Sequence, residues 1–233
     1  TMGGREVKLA RHGFARKQEW KLEEQGDNMV ALSLSSADHA ELLEQYPYPF
    51  KIVARYTIDA AKVAVSYEVT NEGTEDMPFF VGGHPGFKCP LDEGESYDDY
   101  ELHFDQREAA ELCTAVPSTG LIDVEHRSKN PMIDQNLPLT HELFDFAETI
   151  FDVLESRVVT LTKKTEDKGV RLTFPDMPYL IVWSKPEGDF VAVEPWCGLS
   201  TCSDEDDILE HKRGCLVAKP GETVTRGFEI EIL

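Results

Sequence analysis

The chain has 233 residues, which is enough for one large all-β domain or two small ones. It carries 44 Asp and Glu residues against 23 Lys and Arg, so its formal net charge is −21. A field of this sign repels nucleic acid and anionic membranes, and we expect neither as a partner.

Short segments of alternating apolar and polar residues recur along the chain and predict β-strands. Lys51–Ile58 and Lys62–Thr70 are separated by three residues and predict a β-hairpin. The other segments with this pattern are Val30–Leu34, Tyr100–Phe104, Arg157–Thr162, Val170–Phe174, Tyr179–Ser184, Phe190–Glu194 and Thr223–Leu233. Helix is predicted only at Asp38–Gln45 and Asp206–His211.

Many strands and few short helices indicate an all-β sandwich or barrel. The sequence shows no repeat and no low-complexity linker, so we expect residues 1–233 to form a single domain. Met77–Ser96 and Ser118–Leu139 are rich in Pro and Gly and lack periodicity. They are predicted to be long loops, where functional sites often lie.

The five cysteines are an odd number and form no Cys-x-x-Cys pair. Their spacing fits neither a disulfide framework nor a tetrahedral zinc site, so we expect reduced thiols, no metal and a cytoplasmic location. No apolar run is long enough to span a membrane, and Thr1–Lys8 lacks the apolar stretch of a signal peptide.

The segment Gly82-Gly83-His84-Pro85-Gly86-Phe87 follows a short apolar run and predicts a tight turn at a strand end. Glycine permits unusual backbone angles and proline fixes its own φ. The imidazole of His84 can give and take a proton near neutral pH. A histidine that only stabilises the turn would give the same pattern.

Glu194-Pro195-Trp196 ends an alternating strand and offers a candidate general base beside a large aromatic ring. Burial would raise the pKa of that carboxyl, and an indole face suits the apolar face of a pyranose. The alternative is a rim glutamate with Trp196 in the core. Trp183 is more typical of a core residue than of a ligand contact.

Arg11 to Arg16 place His12 and two arginines around a Gly-Phe turn, which suits contacts to an oxygen-rich ligand. An exposed basic patch is the alternative. Leu143–Asp152 is an acidic loop or short helix, in which Glu148 and Asp152 are further candidates beside the alternative of a solvated face. No nucleotide, metal or nucleophile motif competes with these groups.

Three motifs in this order, H-G-F-A-R, G-G-H-P-G-F-x-x-P-L and W-S-K-P…E-P-W-C-G, resemble the aldose 1-epimerase (galactose mutarotase-like) family. The chain is most similar to a bacterial branch associated with lactose operons. The resemblance runs from about residue 11 to the C-terminus. It implies a large antiparallel β-supersandwich and a cofactor-independent enzyme that interconverts the anomers of a free hexose such as galactose or glucose.

By this resemblance, His84 is the general acid for the ring oxygen and Glu194 is the general base for the C1 hydroxyl. His12 and Arg16 would bind sugar hydroxyls. Trp196 would contact the sugar, and Glu148 or Asp152 would supply a further acidic contact.

The resemblance also implies that N-terminal strands of the family are missing here, because the motif beginning at His12 stands so near the start. Exposed sheet edges could then drive dimerisation or aggregation, so we expect a monomer or a homodimer. Two alternatives remain open. One is a carbohydrate-binding or sensor protein without turnover. The other is a hexose-6-phosphate 1-epimerase, whose phosphate would need basic groups such as Arg11, Arg16 and Lys185.

Overall fold

The computed structural model describes residues 1–7, 9–10, 12–166 and 168–233. Within these residues the chain forms seventeen strands in chain order: β1 Lys21–Gln25, β2 Met29–Ser35, β3 Phe50–Asp59, β4 Lys62–Asn71, β5 Met77–Phe79, β6 Gly86–Lys88, β7 Tyr100–Phe104, β8 Leu112–Val116, β9 Leu121–Ser128, β10 Asn136–Pro138, β11 Thr149–Phe151, β12 Val158–Lys163, β13 Gly169–Thr173, β14 Tyr179–Trp183, β15 Phe190–Trp196, β16 Leu216–Ala218 and β17 Thr223–Ile232.

All helical segments of the described chain are short 3₁₀ turns, at Ala15–Lys17, Ala40–Glu44, Tyr97–Asp99, His141–Phe144 and Leu209–His211. The two predicted helices therefore shrink to 3₁₀ turns inside the expected ranges. None of the described helices is long and apolar enough to cross a bilayer.

Two large antiparallel sheets make up most of the fold. The first has the order β1-β2-β3-β4-β17-β13-β12-β7-β10, and the second has the order β6-β15-β14-β11-β8-β9. β5 and β16 form a separate two-stranded sheet. This architecture confirms the predicted all-β, sandwich-like fold.

The predicted hairpin is present as β3 and β4, which pair in one unbroken register from Phe50↔Asn71 to Asp59↔Lys62. An unbroken register keeps alternate side chains on the same face along the whole pair, because side chains alternate along a strand. Val65 and Val69 of β4 are buried, each 5% exposed. Alternation alone was therefore sufficient to locate this pair.

The main core joins the two large sheets. Leu102 and Phe104 of β7, Phe151 of β11, Leu172 of β13 and Leu180 of β14 are all at most 1% exposed and belong to one cluster. Each buried aliphatic or aromatic side chain contributes roughly 1.5–3 kcal/mol relative to exposure. This core fixes the second sheet, whose strands β14 and β15 carry the candidate site.

The prediction of two long loops was only partly right, because each segment also contains short strands. Met77–Ser96 contains β5 and β6, and Ser118–Leu139 contains β9 and β10. β6 and β10 have only three residues each, and β9 is a mostly polar edge strand. Such strands depend on their neighbour's backbone and leave little alternation in the sequence.

Candidate active site

The turn that carries His84 lies against the strand that carries Glu194. The backbone N–H of Gly83 donates to the carbonyl of Pro195 at 2.9 Å, and the N–H of Val193 donates to the carbonyl of Pro85 at 3.1 Å. Gly86 then pairs with Ala192 as β6 joins the edge of β15. These bonds on both sides of His84 fix its position relative to β15.

Glycines 82 and 83 are required here for close packing rather than for unusual backbone angles. Neither residue has a positive φ, contrary to the reason that the sequence suggested. A Cβ at Gly82 would lie 2.7 Å from Cδ1 of Trp196, and one at Gly83 would overlap the ring of Phe228. The turn is therefore pressed between an indole of β15 and a phenyl ring of β17.

His84 and Glu194 are in direct contact. Nδ1 of His84 lies 2.8 Å from Oε1 of Glu194. The His84 side chain is 48% exposed, whereas that of Glu194 is 1% exposed. A solvent-accessible imidazole thus covers a buried carboxylate, which is a suitable arrangement for passing a proton between a ligand and the interior of the site.

Two tryptophans fix this pair from different sides. Nε1 of Trp183 donates a hydrogen bond to Oε1 of Glu194, the oxygen that also contacts His84. Nε1 of Trp196 donates to the carbonyl of Gly83 at 3.1 Å. Trp183 packs against the core, as expected, but its ring also lines the candidate cavity and its N–H orients the carboxylate.

Burial lowers the pKa of His84, and the positive charge of Arg16 acts in the same direction. Removal from water disfavours the charged imidazolium, and a nearby cation disfavours it further. His84 is therefore a stronger acid than an ordinary histidine when it carries its second proton.

His12 and Arg16 reach the same cavity from the N-terminal segment. The ring centroid of His12 lies 5.6 Å from that of His84 and 6.3 Å from the Trp196 ring. His12 has a φ of 66°, a left-handed conformation that turns the chain back toward the site. Arg16 follows in a 3₁₀ turn, and Arg11 lies outside the described residues.

These groups enclose a cavity of about 530 Å³. Its lining contains six of the seven side chains named from the sequence, which are His12, Arg16, His84, Glu148, Glu194 and Trp196. Sequence reasoning missed Phe144, Phe146, Ala147, Ile181 and Ser184, and it assigned Trp183 elsewhere. Small and apolar lining residues of this kind carry no chemical signature that a single sequence reveals.

The segment from Phe144 to Glu148 forms one wall of the cavity. Phe144 is buried, whereas Phe146 is 92% exposed. An almost fully exposed phenyl ring at the mouth of a cavity is available for contact with a bound molecule. The wall therefore offers one carboxylate, Glu148, and one apolar surface.

Asp152 is the one predicted site residue that the structure does not bring into the cavity. Arg127 donates to both of its carboxylate oxygens, at 2.9 and 2.6 Å. Burial alone would raise the pKa of Asp152, but this guanidinium brings it below its ordinary value. Asp152 follows directly after β11, and its half-buried ion pair reaches across β8 to Arg127 of β9.

Comparison with known proteins identifies relatives over nearly the whole chain. The model of the family described as aldose 1-epimerase matches residues 3–231. Two LacX proteins of Lactococcus lactis subsp. lactis, one plasmid-encoded and one chromosomal, are each 40% identical over 227 residues. The match covers 97% of this chain and 75% of each LacX protein.

Solved structures show the same similarity in three dimensions. A galactose mutarotase related enzyme from Lactobacillus acidophilus aligns with a TM-score of 0.89 and 28% identity, over 100% of this chain and 77% of that one. A galactose mutarotase-like protein from Lactobacillus casei aligns with a TM-score of 0.87 and 26% identity, over 100% of this chain and 79% of that one.

Proposed function

Because this chain belongs to the aldose 1-epimerase family, we propose that it interconverts the α and β anomers of a free hexose by acid–base ring opening and closure. The direct contact of His84 with Glu194 at the floor of a sugar-sized cavity carries this proposal. Membership supports a mutarotase-type isomerase.

The chemistry requires an acid and a base close to each other. In a cyclic aldose the ring oxygen and the anomeric hydroxyl are both bonded to C1, so the two proton transfers occur at neighbouring oxygens. Glu194 takes the proton of the C1 hydroxyl while His84 donates a proton to the ring oxygen. The bond from C1 to the ring oxygen breaks, and C1 becomes a carbonyl carbon.

Ring closure reverses both transfers. After rotation about the C1–C2 bond, the C5 hydroxyl attacks the other face of C1 and loses its proton to His84. Glu194 returns a proton to the oxygen on C1, which becomes the hydroxyl of the other anomer. The two residues finish in their starting states, so the cycle needs no cofactor. Each matched group contributes roughly 10²–10⁴-fold in rate.

The rest of the cavity is suited to holding a neutral polyol. His12 and Arg16 can donate to sugar hydroxyls, and Glu148 can accept from them. Trp196 and Phe146 offer apolar surface to the C–H face of a pyranose. This mixture of a few polar groups and aromatic walls is typical of small-molecule sites.

Polarimetry tests the proposal directly. Freshly dissolved α-D-galactose and α-D-glucose should reach their equilibrium rotation faster with the protein than in buffer alone. His84→Ala and Glu194→Gln should each reduce the rate by at least about 10²-fold. His103→Ala and Glu166→Gln, which change the same residue types outside the cavity, should leave it unchanged.

The outcomes separate the alternatives. A wild-type rate equal to that of buffer, together with sugar binding in calorimetry, would indicate a carbohydrate-binding protein without turnover. A marked preference for glucose 6-phosphate over glucose would indicate a hexose-6-phosphate 1-epimerase. Arg16 is the one cation in the described lining of the cavity, and Lys185 is not part of that lining. This lining gives a neutral hexose the stronger support.

A further inference from the structure

A second cavity, of about 320 Å³, lies behind the candidate active site. It forms where the ends of β14 and β15 approach β16 and β17, so all three sheets contribute to it. Its lining consists of Arg157, Pro175, Asp176, Pro178, Cys197, Gly214, Cys215, Leu216 and Arg226. No role in the proposed reaction uses any of these side chains.

Two half-buried arginines are the cationic groups of this cavity. Nη1 of Arg157 donates to the carbonyls of Leu154 and Ser156, at 2.8 and 2.6 Å. Nη1 of Arg226 donates to the carbonyl of Thr225 at 2.7 Å. In the described part of the chain, no carboxylate oxygen lies within 4.0 Å of either guanidinium.

Several other described arginines do have carboxylate partners. Acidic residues outnumber basic ones by 44 to 23, and Arg55, Arg127, Arg171 and Arg213 all form ion pairs. A guanidinium has five N–H donors, and main-chain carbonyls take only part of this capacity at Arg157 and Arg226. The cavity therefore contains two positive charges and several N–H donors, those of Arg157 and Arg226, that no carboxylate of the described residues neutralises.

The floor of the cavity is uncharged. Burial raises the pKa of Cys197 to about 11 and that of Cys215 to about 11, so both thiols are protonated at neutral pH. The guanidinium of Arg226 lies beside the Cys197 thiol. Among the described residues that line the cavity, Asp176 is the only acidic one, and it is exposed.

We propose that this cavity binds a small phosphate monoester, whose oxygens Arg157 and Arg226 hold from two sides. Guanidinium groups bind phosphate in a forked geometry and remain charged at every physiological pH. The volume admits a phosphate with a short polyol chain, and the lining has no aromatic ring on which a nucleobase could stack. A nucleotide is therefore not the expected ligand.

The site lies next to the proposed active site in the chain. Trp196, the last residue of β15, lines the first cavity, and Cys197, which follows it, lines the second. The ligand of the second cavity would contact the strand end that carries Glu194 and Trp196. Binding in the two cavities can nevertheless be measured separately.

Calorimetry at low ionic strength tests the proposal with glycerol 3-phosphate, inorganic phosphate and acetate as probes. Glycerol 3-phosphate should bind most tightly and acetate least. Arg226→Lys, which keeps the charge but loses the fork, and Arg157→Gln should each weaken binding by at least about tenfold. Arg171→Gln, which removes one positive charge on the neighbouring strand β13, should leave the affinity within about twofold.

Binding that is lost in Arg16→Gln but kept in Arg157→Gln and Arg226→Lys would place the anion in the first cavity and overturn the proposal. Equal binding of phosphate and acetate, or no binding by a folded wild-type protein, would also overturn it. These results do not depend on turnover, so failure of this proposal and failure of the proposed mutarotation are distinguishable. Thermal unfolding of each variant confirms that a loss of binding is not a loss of fold.

Discussion

Oε1 of Glu194 lies 2.8 Å from Nδ1 of His84 and also accepts a hydrogen bond from Trp183. One carboxylate oxygen thus contacts both an indole and an imidazole. The indole N–H does not lose its proton near neutral pH, whereas the imidazole can gain or lose one. The indole fixes the position of the carboxylate, and the imidazole can exchange its proton with solvent or ligand. Of the two rings that contact this oxygen, the imidazole of His84 is therefore the one that can exchange a proton near neutral pH.

The first prediction concerns the pKa of His84. Since burial and Arg16 both lower it, an NMR titration of the His84 ring should give a midpoint below 6.5. Arg16→Gln should move that midpoint upward, because it removes a positive charge that opposes protonation. If His84 is the proposed acid, kcat/KM should fall as pH rises through its midpoint, and Arg16→Gln should shift this fall to higher pH.

His126 provides the internal control for this titration. Its pKa is raised by the hydrogen bond and charge of Asp123, so its midpoint should lie above 6.5 in both proteins. A His84 midpoint that does not respond to Arg16→Gln would show that the charge of Arg16 is screened from the imidazole.

The second prediction separates Asp152 from Glu148. Asp152→Asn should lower the free energy of unfolding at pH 7. An exposed ion pair contributes about 1 kcal/mol, and breaking a buried one costs about 3–5 kcal/mol. We expect a loss between these two values, because the pair is half-buried. The substitution should leave kcat unchanged, because Asp152 lies outside the cavity. Glu148→Gln should instead raise KM for the sugar, because Glu148 lines the cavity.

The pH dependence of this stability effect has a defined sign. The folded-state pKa of Asp152 is lowered, so its ion pair with Arg127 stabilises the fold above the unfolded-state pKa, near 3.8. The stabilisation should disappear as pH falls below that value. Denaturation curves of wild type and Asp152→Asn should therefore converge in acid; a difference that persists there would contradict the ion-pair explanation.

The sequence was sufficient for the strands that alternate and for the catalytic candidates that stand at their ends. β3 and β4 were predicted almost to their bounds, because apolar and polar residues alternate along both. Glu194 and His84 were found because glycine, proline and aromatic residues concentrate around them. The three-residue strands were missed, since their pairing is decided by neighbouring backbone rather than by their own side chains.

Asp152 and Trp183 show why the cavity could not be fully predicted. From the sequence, Asp152 and Glu148 are equivalent acidic residues of one segment. The choice between them depends on Arg127, a residue of β9 in a segment that lacks alternation. The role of Trp183 depends on which strand lies next to β14, and pairing between strands is not encoded in either strand alone.

The third prediction concerns the packing of the His84 turn. Gly83→Ala should lower the free energy of unfolding by about 1–3 kcal/mol and displace the turn, because the new methyl group overlaps the ring of Phe228, which is 7% exposed and held in the core. Gly26→Ala is the matched control, since nothing lies within 4 Å of its Cβ. Chemical denaturation measures both changes, and equal stability of the two variants would refute the packing argument.

The fourth prediction concerns Phe146 as an apolar contact of the sugar. Since its ring is 92% exposed at the mouth of the cavity, Phe146→Ala should remove little packing within the protein and leave stability nearly unchanged. If the ring covers the bound sugar equally in the ground and transition states, KM should rise roughly two- to tenfold while kcat stays the same.

Phe146→Tyr, which keeps the aromatic face, should restore the wild-type KM. Ile133→Ala, an exposed apolar side chain outside the cavity, should change neither constant. A fall in kcat without a rise in KM would instead assign Phe146 to the positioning of the reacting groups.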